Sequence, residues 1–207
     1  MRSWALVVPV KPLDRAKSRL EPPPGADRPG LALAFALDTV QAARRCAAVD
    51  RVLVVSPDQR VAEAFAGMDV AVLTAAPDGI NPALQAGSRS MLEAGHTGPL
   101  AALTADLPAL LPAELEAALD AAATQPLSFL PDADAVGTTL YCAREPRGFA
   151  PAYGARSRAA HLAGGAAELV LGGVDTVRRD VDTAADLASA RALGLGPCTS
   201  ALLTRAA

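Results

Sequence analysis

The sequence is poor in lysine, histidine, cysteine and aromatic residues, and these shortages narrow the classes of protein it can belong to. Only 3% of its 207 residues are aromatic, whereas 51% are hydrophobic. Alanine and leucine dominate, and a core of small aliphatic side chains is typical of packed helices or of helices on a sheet. The length fits one domain, with ample sequence for a core.

The chain also lacks a basic face and a long apolar run. Its net charge is −3, without charge blocks, which argues against a nucleic-acid scaffold and an electrostatic membrane anchor. No apolar stretch reaches the ~18 residues that a membrane span needs. The apolar N-terminal segment runs directly into Lys11 without a small-residue cleavage site. We therefore expect a cytoplasmic protein with no signal peptide and no nucleic-acid or membrane partner.

Cysteine and histidine are too scattered for the common metal sites. Cys46, Cys142 and Cys198 have no metal-binding spacing and are typical of reduced, buried thiols. His96 and His161 lie far apart in the sequence, so we expect no metal site built on histidine.

Three familiar catalytic motifs are missing. No GxxxxGK[ST] loop, no GxGxxG after the first predicted strand and no GxSxG elbow occurs, which disfavours P-loop NTPases, the usual NAD fingerprint and serine hydrolases. The remaining catalytic material consists of carboxylates and cations. That combination favours metal-assisted phosphoryl or nucleotidyl transfer.

Short apolar runs alternate with longer helical patterns along the first two-thirds of the chain. They predict strands at 5–10, 51–55, 70–73 and 100–104, with helices at 31–46, 59–66, 81–94 and 112–123. Later segments predict strands at 127–130 and 138–142, a helix at 157–163, weaker strands at 168–171 and 177–181, and a helix at 183–193. This alternation indicates an α/β fold, with a mainly parallel central sheet and helices on both faces. We expect one domain over residues 1–196 and an expendable C-terminal tail at 197–207.

A doubly wound sheet of order 3-2-1-4 would make the first and fourth strands neighbours. Ligands bind such sheets in the crevice beyond the carboxyl ends of the strands. Lys11 follows the first strand and Asp106 follows the fourth, so the two side chains would face each other across one crevice. Such a pairing suits a metal-bound, polyphosphorylated ligand.

The two lysines of the chain, Lys11 and Lys17, lie in one short stretch, and every other basic residue is arginine. An ammonium group is a compact point charge that serves well against phosphate oxygens. The stretch follows a buried strand and is therefore a candidate phosphate site. The alternative is a solvated loop in which two lysines fall together by chance.

Several motifs follow one another in order along nearly the whole chain. They are Val8-Pro9-Val10-Lys11, Ala16-Lys17-Ser18-Arg19-Leu20, Pro77-Asp78-Gly79-Ile80-Asn81, Ala105-Asp106-Leu107-Pro108-Ala109-Leu110, Gly137-Thr138 and Arg179-Asp180-Val181-Asp182-Thr183-Ala184-Ala185-Asp186-Leu187. With them the chain resembles the guanylyltransferases of coenzyme F-420 biosynthesis, which act on phosphoenolpyruvate or 2-phospho-L-lactate. The AKSRL and DLPAL segments are specific together. The last motif is weaker, since similar endings occur across nucleotidyltransferases.

The resemblance implies a single nucleotidyltransferase domain with a Rossmann-like (GT-A-like) fold. It further implies GTP as donor, a phosphorylated three-carbon acid as acceptor, and Mg²⁺ held by Asp106 and Asp180. Two carboxylates suit Mg²⁺, which keeps several waters and bridges phosphates. Asp106 could instead cap a turn. Asp182 could replace Asp180 as the ligand, and either Asp182 or Thr183 could cap the last helix.

The resemblance also assigns the cations and the acceptor pocket. Lys11 would neutralise phosphate charge, and Lys17 and Arg19 would hold the triphosphate or pyrophosphate, unless these are solvated loop cations. The acid would be bound by residues after Gly137 and in the turn before the 157–163 helix, namely Thr138, Gly154 and Ser157. The N–H groups at such a turn could form an anion site. Ser157 could instead only cap its helix, and Thr139 could fill a strand. Arg156, a departure from the family pattern, could add an anion contact or face solvent.

The guanine base would be read by the loop before the third helix, at Asp78, Gly79 and Asn81. Turn formation and helix capping by Asn81 would also explain these residues. Two further departures, Ala105 where glycine is common and Pro82 after Asn81, leave the chemistry intact.

The combined interpretation is GMP transfer from GTP to a small phosphorylated acid with release of pyrophosphate. The alanine- and arginine-rich composition is typical of GC-rich bacteria, whose family members generally prefer phosphoenolpyruvate. One competing interpretation is a molybdenum-cofactor or sugar-phosphate nucleotidyltransferase. Such enzymes usually carry a glycine-rich loop where this chain has Pro12 and no glycine before Gly25. The sequence is also compatible with a non-catalytic nucleotide-binding module, or with an α/β domain whose loop charges are incidental.

Overall fold

Seven strands form one sheet in the computed structural model, which describes residues 3–75 and 77–206. The strands are β1 (Trp4–Pro9), β2 (Val49–Val55), β3 (Ala71–Leu73), β4 (Leu100–Leu103), β5 (Leu127–Pro131), β6 (Thr138–Ala143) and β7 (Ala167–Glu168). The helices are α1 (Arg28–Arg45), α2 (Gln59–Phe65), α3 (Ile80–Glu93), α4 (Pro112–Ala122), α5 (Ser157–Ala163), α6 (Asp175–Arg178), α7 (Ala184–Leu193) and α8 (Pro197–Ala206). Ala76, which precedes the Pro77-Asp78-Gly79 segment in the sequence, lies outside the described residues.

The strand order is β3-β2-β1-β4-β6-β5-β7. Pairing is parallel from β3 through β4, and β6 runs antiparallel to both of its neighbours. The predicted α/β class and the 3-2-1-4 order of the first four strands are therefore confirmed. Because β1 and β4 are parallel neighbours, the residues that follow them emerge at the same edge of the sheet.

Helices cover both faces of the sheet, which is why β1 is apolar throughout. Leu6 and Val8 pack in the larger core cluster with α1 and α4, whereas Ala5 and Val7 belong to a second cluster with α3. Gly87 lets α3 approach closely, since a Cβ there would lie 2.5 Å from a Val7 methyl group. The alanine and leucine residues that dominate the composition thus fill two hydrophobic cores, one on each face of the sheet.

Most predicted elements are confirmed with small shifts at their ends, but three predictions are wrong. The strand expected at 177–181 is absent from the described chain, where the helical turn α6 precedes an extended segment, and the strand expected at 168–171 is reduced to β7. Asn81 does not cap α3, since the helix begins at Ile80 with Gly79 as its N-cap. Cys46 and Cys142 are buried free thiols, as expected, whereas Cys198 is half-buried.

Residues 197–206, expected to lie in an expendable tail, form α8 and pack against α1. Both carboxylate oxygens of Asp38 accept hydrogen bonds from the start of this helix, from the N–H groups of Cys198 and Thr199 at 2.8 Å each. Leu203 is buried against the α1 side chains Leu31 and Phe35. No described helix is both long and apolar enough to cross a membrane.

We expect Leu203→Ala to lower the free energy of unfolding by about 2–4 kcal/mol, because it removes a buried side chain from this interface. The matched control is Thr204→Ala on the exposed side of the same helix, which should change stability by less than about 0.5 kcal/mol. Urea unfolding of both variants measures the difference. If Leu203→Ala lowers the free energy of unfolding no more than Thr204→Ala does, Leu203 does not contribute to the core.

Candidate active site

A cavity of about 860 Å³ opens where β1 and β4 end. Its walls contain every predicted site residue except Asn81, namely Lys11, Lys17, Arg19, Asp78, Gly79, Asp106, Thr138, Gly154, Ser157 and Asp180. A second cavity, of about 500 Å³ near Met68, contains none of them. The fold therefore brings the predicted donor, acceptor and metal residues into one space.

The ammonium group of Lys17 lies between two carboxylates. Its Nζ donates to Oδ2 of Asp106 and, at 3.0 Å, to Oδ1 of Asp182. The Lys17 side chain is only 9% exposed. Burial alone would lower the pKa of Lys17, but the two carboxylates outweigh it and raise that pKa above its ordinary value. The lysine is therefore charged and bridges the loop after β1 to two other segments.

The backbone around Lys17 explains how the side chain reaches this position. Leu13 and Leu20 are buried and fix both ends of the loop, and the N–H of Leu20 donates to the Lys17 carbonyl at 2.9 Å. Lys17 itself has φ 54°, in the left-handed region that costs a non-glycine residue roughly 1–3 kcal/mol. The tight turn aims the ammonium group inward.

Asp182 acts as an anchor for cations. Its second carboxylate oxygen accepts a hydrogen bond from Arg19. Burial opposes ionisation, yet Lys17 and then Arg19 lower the pKa of Asp182 below its ordinary value. Thr183 is the N-cap of α7 and forms a capping box with Asp186. The alternative in which Asp182 caps that helix is therefore wrong.

Lys11 is an exposed cation at the cavity wall. It follows β1 in the chain. It forms no ion pair with any residue in the described ranges 3–75 and 77–206. Its ammonium group is available to an anion that enters the cavity.

Asp180 has the opposite electrostatic character to Asp182. Burial, together with neighbouring carboxylates, raises the pKa of Asp180 to about 8. Those carboxylates belong to Asp106, Asp182 and Asp132. Val181 fixes the segment here, because its N–H donates to the Asp106 carbonyl at 3.0 Å. Asp180 is thus held in a region that already carries excess negative charge.

The carboxylates fit a divalent cation. Oδ1 of Asp106 is buried and has no hydrogen-bond partner among the described residues, while Asp180 is held among like charges. Both supply the hard oxygen ligands that Mg²⁺ and related ions prefer. In the part of the chain that the structure describes, no group of three or more His, Cys, Asp or Glu is placed to hold a metal. An ion on Asp106 and Asp180 would complete its coordination with phosphate oxygens and water.

Asp132, which lies between β5 and β6 and was not among the predicted site residues, lines the part of the cavity predicted to bind the acceptor. Its carboxylate accepts hydrogen bonds from the N–H groups of Val136 at 2.9 Å and Gly137 at 2.7 Å. A Cβ at residue 137 would collide with that carboxylate, so a larger residue there would displace Asp132 from these hydrogen bonds. The position of Asp132 shortly before Gly137-Thr138 was the available signal.

Thr138 and Ser157 are buried at the cavity wall, at 5% and 2% exposure. Oγ1 of Thr138 lies 2.9 Å from Nδ1 of His161, a residue that sequence reasoning set aside. Ser157 is the first residue of α5, and the N-cap is Arg156, whose side chain makes no capping hydrogen bond. The alternative in which Ser157 caps the helix is therefore wrong.

Three further residues near Thr138 and Ser157 differ in their access to the cavity. Gly154 borders open space in the cavity, so a ligand can approach its backbone. Arg156 is exposed and lies outside the cavity wall. Thr139 is fully buried in β6, as expected of a residue that fills a strand.

The loop proposed for the base is more open. Asp78 is 86% exposed and pairs with Arg15 at 3.5 Å. Gly79 has φ 97°, a conformation that favours glycine. The Asn81 side chain bonds to the backbone of Tyr153, donating to its carbonyl and accepting from its N–H, both at 2.8 Å. Asn81 therefore links the loop proposed for the base, at Asp78 and Gly79, to the turn proposed for the acceptor, at Tyr153 and Gly154.

Comparisons with known proteins give the family of this chain. A family model described as "Guanylyl transferase CofC like" matches residues 4–191. The phosphoenolpyruvate guanylyltransferase of Streptomyces coelicolor is 52% identical, with 98% of this chain and 96% of that protein covered. The enzyme of the same name from Thermomonospora curvata is 51% identical, with 98% and 90% covered.

Solved structures share the fold at low sequence identity. A 4-diphosphocytidyl-2C-methyl-D-erythritol synthase aligns with a TM-score of 0.65 and 17% identity, covering 93% of this chain and 99% of the other. Rv0371c from Mycobacterium tuberculosis H37Rv, in complex with manganese, aligns with a TM-score of 0.59 and 22% identity, covering 91% and 97%. These matches confirm the predicted nucleotidyltransferase fold.

We expect the Asp180 carboxylate to make the metal-free protein less stable as pH rises from about 5 to about 8. Its raised pKa means that the folded state keeps a proton that the unfolded state has lost, so stability falls over this range. Asp180→Asn removes that slope, and its stability relative to the natural protein should rise with pH. Urea unfolding with a chelator measures this. The exposed Asp175→Asn serves as control, and parallel curves for Asp180→Asn and the natural protein would contradict the assignment.

Proposed function

Because this chain belongs to the CofC-like guanylyl transferase family, we propose that it transfers GMP from GTP to phosphoenolpyruvate and releases pyrophosphate, in coenzyme F-420 biosynthesis. The enzyme class, a nucleotidyltransferase, follows from the family. The observation that carries the finer proposal is that Asp106 and Asp180 line one cavity together with the predicted cations Lys11, Lys17 and Arg19. The free cysteines suit the reducing cytoplasm, where we place the reaction.

The proposed metal is Mg²⁺, held by Asp106 and Asp180. The manganese complex of a protein with the same fold supports a divalent ion, and the hard oxygen ligands support magnesium. When bound, the ion would offset the negative charge of the phosphates. Asp182 would stay on Lys17 and Arg19, because its lowered pKa reflects that pairing.

The three proposed cations, Lys11, Lys17 and Arg19, would contact different phosphate groups of the substrates. Lys11, exposed at the cavity wall, would neutralise charge that develops during transfer. Lys17 and Arg19, which follow it in the same loop, would hold the triphosphate and then the pyrophosphate. An ammonium group suits the positions of Lys11 and Lys17 against phosphate because it is smaller than a guanidinium.

The transfer itself needs positioning rather than covalent catalysis. An oxygen of the acceptor phosphate attacks the α-phosphorus of GTP, a new P–O bond forms, and the bond to the bridging oxygen of pyrophosphate breaks in line. Both reactants are anions, so the main tasks of the site are to align them and offset their repulsion. Thr138, Gly154 and Ser157 would hold the acid, and Asp78 and Gly79 would contact guanine. Asn81 would fix the loop of the base from behind.

The deciding experiment incubates the protein with Mg²⁺ and GTP, adds phosphoenolpyruvate or 2-phospho-L-lactate, and measures pyrophosphate. We expect release with phosphoenolpyruvate, the substrate in the names of both relatives. Faster release with 2-phospho-L-lactate would replace the acceptor and keep the chemistry. No release with either acid would favour another nucleotidyltransferase or a non-catalytic nucleotide-binding module.

We expect Asp106→Asn to lower kcat by more than about a hundredfold, because a neutral amide is a poor Mg²⁺ ligand and the metal contributes several kcal/mol to charge stabilisation. Asp120→Asn, an exposed carboxylate on α4 outside the cavity, is the control. Steady-state kinetics at saturating Mg²⁺ and substrates compare the two. Equal turnover in both variants would remove Asp106 from the metal site.

We expect Ser157→Ala to raise the KM for the acid at least about tenfold and to leave the KM for GTP nearly unchanged. A lost hydrogen bond to a charged group is worth roughly 1.5–3 kcal/mol, which corresponds to that change. The control is Ser189→Ala on the exposed side of α7. A change in both KM values, or in neither, would contradict a contact between Ser157 and the acid.

A further inference from the structure

His161 is buried directly behind the acceptor side of the cavity. It is 2% exposed, and its ring stacks on Tyr141 with the ring centres 4.7 Å apart. Phe129 and Tyr153 close the box, with ring centres at 5.4 Å each. Burial lowers the pKa of His161 to about 4. The imidazole is therefore neutral at physiological pH and carries one ring proton.

The two ring nitrogens have different partners, and one of these fixes the tautomer. The backbone N–H of Ala152 points at Nε2 from 2.9 Å. An amide N–H can only donate, so Nε2 must be the acceptor. The single ring proton is then on Nδ1, which lies 2.9 Å from Oγ1 of Thr138.

This arrangement determines which way the hydroxyl of Thr138 can act. Its oxygen accepts the Nδ1 proton, so its own O–H proton cannot be directed at His161. Thr138 has no other side-chain partner in the described ranges 3–75 and 77–206, and it lies at the cavity wall. The O–H is left to donate into the cavity.

We propose that His161 is a positioning residue that makes Thr138 a hydrogen-bond donor to an anionic oxygen of the acceptor acid. The proposal rests on the function proposed above, in which Thr138 contacts that acid. With the opposite tautomer, the hydroxyl would donate to the ring and turn its lone pairs toward the cavity, where they would repel an anion. The Ala152 N–H prevents that reversal from a loop outside the cavity wall.

The tautomer can be measured directly on the natural protein by NMR with ¹⁵N-labelled histidine. The chain has two histidines, and loss of a signal in His161→Phe or in His96→Gln assigns them. We expect His161 to be protonated at Nδ1 and unprotonated at Nε2 near neutral pH. An Nε2-protonated ring, or a doubly protonated one, would overturn the proposal without any assay of activity.

A double-mutant cycle tests the action through Thr138. Thr138→Val and His161→Phe keep similar shapes and should each raise the KM for phosphoenolpyruvate about tenfold, with the KM for GTP nearly unchanged. The double variant should resemble Thr138→Val alone, since His161 has no route to the acid without the hydroxyl. Thr139→Val is the matched control, because this neighbour is buried outside the cavity wall. Its KM for the acid should not change.

Additive effects in the double variant would mean that His161 only supports packing, and an unchanged KM in Thr138→Val would remove the hydroxyl from the acid site. Either result overturns the inference while the enzyme still releases pyrophosphate. Failure of the proposed function is distinct, since the natural protein would then release none with phosphoenolpyruvate. That outcome would overturn both proposals. If His161→Phe does not fold, the NMR measurement and Thr138→Val remain decisive.

Discussion

The arrangement of the site depends on the ion pairs of Lys17 with Asp106 and Asp182. A buried ammonium is costly unless it is paired and hydrogen-bonded, and the left-handed backbone of Lys17 adds strain. Both costs are offset only when the two carboxylates lie on either side of it. Because these come from the end of β4 and from the segment before α7, one lysine fixes three parts of the chain.

The segment before α7 is held by one backbone hydrogen bond of Val181 and by the side chain of Arg178. Val181 donates to the Asp106 carbonyl, and the Arg178 guanidinium donates to the carbonyls of Pro131 and Asp132. This attachment gives Asp180 and Asp182 opposite roles although they are two residues apart. Asp182 meets cations and its pKa falls, whereas Asp180 meets carboxylates and its pKa rises. The protein does not provide enough positive charge beside Asp180 to keep it ionised. A divalent ion would supply that positive charge.

Much of this arrangement could be predicted from the sequence, because parallel strands place their following residues at one edge. Lys11 and Asp106 follow from that rule alone. The wrong strand at 177–181 shows the limit. The β-branched Val177 and Val181 favoured a strand. In the structure Val177 lies in the turn α6 and Val181 lies beyond it, and the two are buried in different core clusters. Asp132 was missed because its role, accepting two backbone N–H groups, depends on the folded loop, and its position shortly before Gly137 was the one signal in the sequence.

The two ends of the cavity differ in burial: the residues around Thr138 are buried, whereas Asp78 is exposed. This difference matches the sizes of the two proposed ligands. A three-carbon acid offers few atoms, so selectivity for it requires donors that are already oriented before binding. In the proposed site, the buried Thr138 hydroxyl, oriented by His161, would meet that need. GTP is larger and can be held mostly through its phosphates, so Asp78 can remain exposed. The hydrogen bonds of Asn81 to the Tyr153 backbone join the two ends, because the Tyr153 ring also contacts His161.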